Sequence, residues 1–259
     1  MTEQTASRYR ERNSTADRAL DILGMFDETT STIAASDVAT MLGVARSTAY
    51  RYVQSLVQSR FLEEAQPSRF RLGNRILELA TIARRGWGVS EAARPVMRRL
   101  CAELGETVLL TRLTGNAVVC LEREEAPAQL IRISYERGQI LPINAGAAAF
   151  VLLAWLEESA LNALLESATL QRFTSHTLTS PEALRLRLAE TAEQGFGISE
   201  GELDEHVLGV AAPIRDSDGT VQAAISMAAV STRIEKARLP QIVDLVRGAA
   251  NEITESNIG

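Results

Sequence analysis

The stretch Gly43-Val-Ala-Arg-Ser-Thr-Ala-Tyr-Arg-Tyr-Val-Gln-Ser-Leu-Val-Gln58 decides how this chain is read. Its apolar residues Ala49, Tyr52, Val53, Leu56 and Val57 recur at i, i+3, i+4, i+7 and i+8, the stripe of a helix with one buried face. Ser47 or Thr48 is placed to cap that helix. The opposite face presents Arg46, Ser47, Tyr50, Arg51, Gln54, Ser55 and Gln58. Arginine grips guanine with two hydrogen bonds, glutamine pairs with adenine, and hydroxyls reach phosphates or base edges. The helix therefore reads as a major-groove recognition helix, with Arg46, Ser47, Thr48, Tyr50, Arg51 and Gln54 as DNA contacts.

The flanks agree. Upstream, Ser36 is positioned to cap a short helix holding Val38, Ala39, Met41 and Leu42, which Gly43 ends. Ala39, four residues before Gly43, is small enough for two helices to cross closely, as in a helix-turn-helix. Asn13 and Ser14 are candidate caps for a first helix from Thr15, with Ala16, Ala19, Leu20, Leu23 and Phe26 at helical spacing. Downstream, Phe61-Leu-Glu-Glu64, a Pro67-Ser68 turn and Arg69-Phe-Arg-Leu-Gly73 read as a β-hairpin, the wing. Alternation puts Arg69 and Arg71 on one side of its second strand, facing backbone phosphates. Residues 46–75 carry six arginines against two glutamates, net +4, in a chain of net charge −6. The competing reading is an ordinary amphipathic three-helix module with solvated charges.

The whole chain has 259 residues, 46% hydrophobic and 23% charged, which suits one large or two smaller globular domains. The polar segment with Arg8, Arg10 and Arg12 lacks the apolar core of a signal peptide, and no run is long enough to span a membrane. A cytoplasmic location and no membrane partner are expected. Cys101 and Cys120 have no metal-motif spacing and read as buried thiols. His176 reads as structural. His206 follows Glu202, Asp204 and Glu205, read as solvated acids rather than a metal cluster. No nucleophile elbow, P-loop or dinucleotide fingerprint is expected, so the chain reads as neither an enzyme nor the holder of a metal or cofactor.

Thr15-Ala-Asp-Arg-Ala-Leu-Asp-Ile-Leu23, Gly43-Val-Ala-Arg-Ser-Thr-Ala-Tyr-Arg51 and Arg69-Phe-Arg-Leu-Gly73 resemble the IclR family of bacterial transcription regulators. The likeness continues through Ala93-Arg-Pro95, Leu104-Gly-Glu-Thr107, Gly138-Gln-Ile-Leu-Pro142, Asn144-Ala-Gly-Ala147, Arg172-Phe-Thr-Ser-His-Thr177, Ala211-Ala-Pro213 and Asp216-Ser-Asp-Gly219. It covers roughly residues 13–255 and rests on the order of the motifs. Four segments are expected: a flexible N-terminal arm (1–12), a winged helix-turn-helix DNA-binding domain (13–74), a linker helix and hinge (75–89) and an effector-binding domain (90–259). Asn74 to Arg85 reads as a helix with Ile76, Leu79, Ala80 and Ala83 on one side and Leu77 beside them, broken by Gly86-Trp87-Gly88. The resemblance implies that this helix links the domains and makes dimer contacts; the alternative is a spacer packed on its own domain. It further implies a homodimer or homotetramer on double-stranded DNA at a pseudo-palindromic operator.

Beyond the hinge the pattern is α+β with a mainly antiparallel sheet. Helices are expected at Ser90–Leu104, Ala145–Leu156, Glu158–Leu165, Pro181–Gln194 and Leu239–Ser256. Strands are expected at Thr107–Leu113, Ala117–Glu122, Leu130–Tyr135, Phe196–Ser199, Val207–Ile214 and Val221–Val230. The resemblance implies a GAF-like fold. Asn144, Ala145, Gly146 and Ala147 open a helix with small residues whose exposed N–H groups favour the carboxylate of a small organic acid effector. Family members that sense small 2-oxoacids use an Asp, a Cys and two Ser. By the register of Ala211-Ala-Pro213 those positions fall on Ser199, Gly209, Ser226 and Ala228, and only Ser226 is kept. That implies a roomier, less polar pocket for a larger aromatic or acyl acid, with His206 at its mouth; the alternative is that these substitutions only repack the core. The competing function is a small-molecule-binding module or an enzyme that does not bind DNA.

Overall fold

The computed structural model describes residues 15–27, 29–86, 88–126 and 135–257. The chain divides into two compact units, the first ending at Gly86.

The first unit opens with α1 (Thr15–Leu23), followed by β1 (Ile33–Ala34), α2 (Ala35–Leu42) and α3 (Arg46–Gln58). The candidate caps Asn13 and Ser14 and the arm 1–12 lie outside the described residues. α1 is shorter than its apolar spacing suggests. Ile22 is its buried side chain and Leu20 is 64% exposed, because the chain turns at once: Met25 N–H donates to the Ile22 carbonyl. The cap of α2 is Ala34, whose N–H donates to the Asp37 carboxylate at 2.8 Å, so Ser36 lies within the first turn instead of capping it. Gly43 ends α2 at φ +64°, a left-handed conformation that glycine adopts at little cost. Ala45 caps α3 through its extended backbone, and its carbonyl accepts from the Thr48 and Ala49 N–H groups. Ser47 and Thr48 therefore lie inside the helix, not at its cap.

The wing is β2 (Leu62–Gln66) and β3 (Arg69–Leu72), turning at Ser68. β1 adds a third strand that the sequence reading missed, pairing Ile33 with Phe70. Those two side chains meet Ile22, Val38, Ala49, Val53, Leu56 and Leu62 in one core. Burying each of the larger ones stabilises the unit by about 1.5–3 kcal/mol. α4 (Asn74–Gly86) follows. Its Glu78 takes ion pairs from Arg75 at 2.9 Å and Arg60 at 3.1 Å; the Arg75 hydrogen bond is the larger cause holding that carboxyl below its ordinary range. Leu77 and Ile82 on α4 are 65% and 60% exposed.

The second unit is one antiparallel sheet between helices. In chain order it runs α5 (Val89–Leu104), β4 (Thr107–Thr114), β5 (Ala117–Glu124), β6 (Ile140–Leu141), α6 (Ala147–Ala154), α7 (Glu158–Ser167), α8 (Pro181–Gln194), β7 (Gly197–Glu200), β8 (Val207–Arg215), β9 (Val221–Val230) and α9 (Leu239–Asn257). The strand order is β6-β5-β4-β9-β8-β7. Side chains alternate across it. Val108, Leu110, Val210, Ile214, Ile225 and Met227 pack under α5 and α9, whereas Val118, Ala211 and Ala224 pack under α6, α7 and α8. Pro95 lies inside α5 and does not start it. The strand expected at Leu130–Tyr135 falls mostly outside the described residues, and Tyr135 itself is in irregular structure. α6 starts two residues later than expected because Gly146, at φ +95°, precedes its first turn.

Gly73 sets where the wing meets α4. A Cβ there would stand 2.3 Å from the Arg60 carbonyl oxygen, at the point where Gly73 N–H donates to the Phe61 carbonyl at 2.8 Å. Gly73→Ala is expected to destabilise the first unit by about 1–3 kcal/mol, the usual cost of overpacking. Hydrogen exchange should accelerate in peptides from 15–86 and stay unchanged in those from 147–255.

Candidate functional site

The outer face of α3 presents Arg46, Ser47, Tyr50 and Arg51 exposed, with Thr48 and Gln54 half-buried. Arg46 and Arg51 make no ion pair with another described residue. Both wing arginines are exposed, with Phe70 buried between them, as alternation requires. Each also has a partner. Arg69 donates to the Thr32 hydroxyl at 3.0 Å and carbonyl at 2.9 Å, and Arg71 donates to Glu63 at 2.7 Å from the facing strand. The Arg71–Glu63 pair is exposed and contributes at most about 1 kcal/mol. A phosphate approaching Arg71 therefore competes with Glu63.

The second unit has a partly open cavity of about 50 Å³ between the sheet and the start of α6. On that scale one water needs about 10–15 Å³. Ser199, Gly209 and Ala228 line it as one cross-strand row over β7, β8 and β9, and Ser226 lies in the row beside them, opposite Leu109. Ala145, Gly146 and Ala147 close the other side. The first N–H groups of a helix have no partner within it, so the start of α6 offers donors at the cavity wall. The polar lining is otherwise hydroxyl: Thr111, Ser199, Ser226 and Tyr135, set among Val118, Leu141 and Val207.

Gly209 does not enlarge this space, contrary to the expectation of a roomier pocket. A Cβ on it would stand 2.5 Å from the Ser199 hydroxyl oxygen and 3.4 Å from the Ala147 Cβ, so neighbours already fill the position. Two further candidate residues lie outside the lining. Asn144 is buried outside the cavity lining. Its amide donates to the Gln171 and Leu178 carbonyls at 2.9 and 2.8 Å, clamping the chain that leads into α6. His206 is exposed and does not line the cavity; its carbonyl accepts from Ser231 N–H, which fixes its backbone and leaves the imidazole to solvent.

Other residues were missed. Leu109 and Thr111 line the cavity from β4, and the alternation of β4 beside β9 was the signal for them. Leu203, Val207 and Tyr135 come from loops or a loop edge, where no periodicity marks them. The Tyr135 hydroxyl donates to Asp204 Oδ2 at 3.3 Å, and burial pushes the phenol well above its usual range.

Gly197-Ile-Ser-Glu-Gly201 does spell the Gly-x-Ser-x-Gly of a nucleophile elbow, which the sequence reading overlooked. An elbow needs a sharp strand-to-helix turn. Here Ser199 sits inside an antiparallel strand, paired with Gly209. The Thr-Ser-His-Thr motif is accounted for by packing: Thr174 and Thr177 donate to the Gly201 and Glu202 carbonyls, each at 2.6 Å. Both cysteines are buried. Desolvation is the main cause raising both thiols, Cys120 to about 11, so neither is a thiolate at neutral pH. Among the described residues no group of His, Cys, Asp and Glu could hold a metal ion, and no helix is long and apolar enough to cross a membrane.

Comparison with known proteins gives these units their relatives. Residues 15–66 match the IclR helix-turn-helix domain, and residues 81–255 match the bacterial transcriptional regulator IclR C-terminal domain. The chain is 32% identical over 225 residues to the HTH-type transcriptional regulator XynR of Escherichia coli, covering 86% of this chain and 88% of that one. It is 32% identical to the HTH-type transcriptional regulator BhcR of Paracoccus denitrificans, covering 92% and 85%. A crystal structure of an IclR homologue from Microbacterium hydrocarbonoxydans, complexed with 4-hydroxybenzoate, matches with a TM-score of 0.79 and 29% identity over 93% of this chain and 98% of that one. A recognition-type helix with a wing, followed by an antiparallel sheet with a cavity at a helix N-terminus, thus has the sequence and fold of one group: the chain belongs to the IclR family of bacterial transcriptional regulators.

Proposed function

We propose that α3 enters the major groove of a pseudo-palindromic operator, and that a small organic acid in the cavity of the second unit changes the affinity for that DNA. The observation that carries the first half is the exposed Arg46–Arg51 face of α3 in a segment of net charge +4. Arg46, Ser47, Thr48, Tyr50, Arg51 and Gln54 supply base and phosphate contacts, and Arg69 and Arg71 add phosphate contacts from the wing. A dimer, or a tetramer of dimers, supplies two such helices, because protein symmetry mirrors operator symmetry. The exposed Leu77 and Ile82 on α4 support a second copy covering that face. Segment 75–89 acts as the linker between the two units, and the protein works in the cytoplasm, where its DNA is.

In the cavity, the N–H groups at Gly146–Ala148 receive the carboxylate, and the Ser199 and Ser226 hydroxyls flank it. The body of the acid lies against Leu109, Val118 and Leu141. An apolar wall of this kind favours an aromatic or acyl acid over a pyruvate-sized one, and the 4-hydroxybenzoate held by the Microbacterium homologue supports that choice. The acid acts by binding the DNA-competent and incompetent arrangements unequally, since equal binding would shift nothing.

Gel-shift titration of the chain's own promoter fragment is expected to show binding that weakens steeply with salt. Arg51→Ala should weaken it about ten-fold or more, an effect of roughly 1–3 kcal/mol that relaxes sequence preference. Arg71→Ala, removing a charge already shared with Glu63, should weaken binding less and equally across sequences. Unchanged affinity in Arg51→Ala would remove that residue from the interface.

Thermal-shift screening should rank aromatic and acyl acids above glyoxylate and pyruvate; the reverse order overturns the ligand assignment. Asn144→Ala leaves the Gln171 and Leu178 carbonyls without this donor, at a cost of about 1–2 kcal/mol. It should lower the melting temperature by several degrees in calorimetry, with or without ligand.

A further inference from the structure

At the outer edge of the sheet, β7 and the turn that follows it leave an open groove against α8. It holds about 430 Å³ and shares no lining residue with the cavity described above. Three of its lining side chains are carboxylates: Glu190 from α8, Glu200 from β7 and Glu202 from the turn. Arg187 of α8 is its one guanidinium, so the groove is acidic in balance.

Charge alone would make this an ordinary solvated surface. Glu202 sets it apart. Its side chain is 4% exposed. Its backbone is held in place, because its carbonyl accepts from the Thr177 hydroxyl at 2.6 Å. Oε1 accepts from Arg187 at 2.9 Å, whereas Oε2 has no hydrogen-bond donor among the described residues. A buried carboxylate oxygen has given up its hydration, so one left without a donor is costly and uncommon.

Arg187 is already engaged elsewhere. Its Nη1 also donates to the Ile198 carbonyl at 3.3 Å, its Nε faces Glu190 at 3.5 Å, and its guanidinium lies over the Phe150 ring at 5.2 Å. One positive charge is thus divided between Glu202 and Glu190. Glu200, exposed at the rim, makes no ion pair among the described residues.

We propose that this groove is a binding site for a small aliphatic amine, whose ammonium group donates to Glu202. An ammonium brings three donors and one positive charge, which the orphaned oxygen and the unbalanced carboxylates lack. A diamine suits the groove better than a monoamine, because Glu190 and Glu200 leave a second charge to be met. Ile198 offers its alkyl chain an apolar contact. A metal ion suits it less, since among the described residues no group of three His, Cys, Asp or Glu side chains could hold one. The site stands apart from both the operator and the acid cavity, so failure of either leaves it untouched.

The probe is 1,4-diaminobutane, titrated into the full-length protein by isothermal calorimetry at fixed ionic strength. Butylamine and magnesium chloride are the comparison arms. One saturable site per chain is expected, tighter for the diamine than for butylamine and not competed by magnesium at equal concentration. Glu202→Gln keeps an acceptor for Arg187 and puts an N–H donor where Oε2 was. It should weaken diamine binding about ten-fold or more, the factor that loss of a charge-assisted hydrogen bond gives. Glu200→Gln removes a rim charge without touching the buried pair and should weaken binding about two- to three-fold. Thermal melting without amine checks that each variant folds; if Glu202→Gln does not, Glu200→Gln decides. The proposal is overturned if the diamine fails to saturate a site below about 10 mM, as a groove that takes only water would behave. It is overturned equally if magnesium displaces the diamine, if butylamine binds as tightly, or if folded Glu202→Gln or Glu200→Gln binds it as the parent does.

Discussion

The first turn of α6 rests on the sheet over two glycines. A Cβ at Gly197 would stand 2.8 Å from the Ala147 carbonyl oxygen, and one at Gly209 would stand 3.4 Å from the Ala147 Cβ. A larger residue at Gly197 lifts the helix from the strands, and one at Gly209 displaces the Ser199 hydroxyl. With the helix seated, its N-terminal donors stand beside the Ser199–Gly209–Ala228 row instead of above it, and the space left over is small. Ala147, Ala148 and Ala149 continue the same logic from the helix side, since small residues on both surfaces let backbones approach. The cavity is thus a by-product of close packing, not a gap left by missing side chains. Gly209, which in sequence suggests added room, belongs to the packing.

The first unit solves a different problem. Its core is eight residues, and a module that small gains stability from tying its pieces together. β1 does this with two residues, by pairing to the wing and sending Ile33 in against Phe70. Arg69 repeats the tie on the outside by reaching Thr32. The wing arginines therefore serve the unit's own architecture before any partner arrives. A phosphate approaching Arg71 competes with Glu63, whereas one approaching Arg51 meets no carboxylate among the described residues.

What could be read from the sequence follows from how much of each signal is local. α3 was legible because a helix with one buried face writes its stripe into thirteen consecutive residues, and Ala49, Val53 and Leu56 are buried as that stripe requires. The wing was legible for the same reason at period two, and β4, β8 and β9, buried on both faces, as apolar runs bounded by turn signals. The caps were not. Sequence reasoning looks for a hydroxyl before a helix, and here Ala34 and Ala45 cap through backbone geometry, with Asp37 reaching back from inside α2. β1 and β6 are two residues each, too short for any period. In the cavity, Ser199, Gly209, Ser226 and Ala228 were placed together by register. Asn144 and His206 were placed by chain proximity, which says nothing of where a side chain finds its partners. Tyr135 carried no signal at all, because its role depends on Asp204, sixty-nine residues away.

These differences constrain how the second unit can respond to a bound molecule. The cavity floor is the middle of a six-stranded sheet, with Thr111 fully buried and Leu109 and Ser226 nearly so, on β4 and β9, each paired on both sides. Close-packed strands of this kind do not deform by degrees. The start of α6 is clamped as well, through Asn144 to the 171–178 segment and through the glycines to the sheet. Among the described residues, Tyr135 meets the 201–206 turn through one bond to an exposed carboxylate. The free energy that distinguishes an occupied unit from an empty one must be expressed where the structure can exist in two arrangements. At the β5–β6 edge, Arg137 pairs with the same buried Glu122 that Arg94 of α5 reaches at 3.0 Å. A buried carboxylate shared by two arginines cannot lose one without its remaining charge being poorly compensated. The β5–β6 edge and α5 are thus tied through one buried carboxylate, with no contact through the sheet needed.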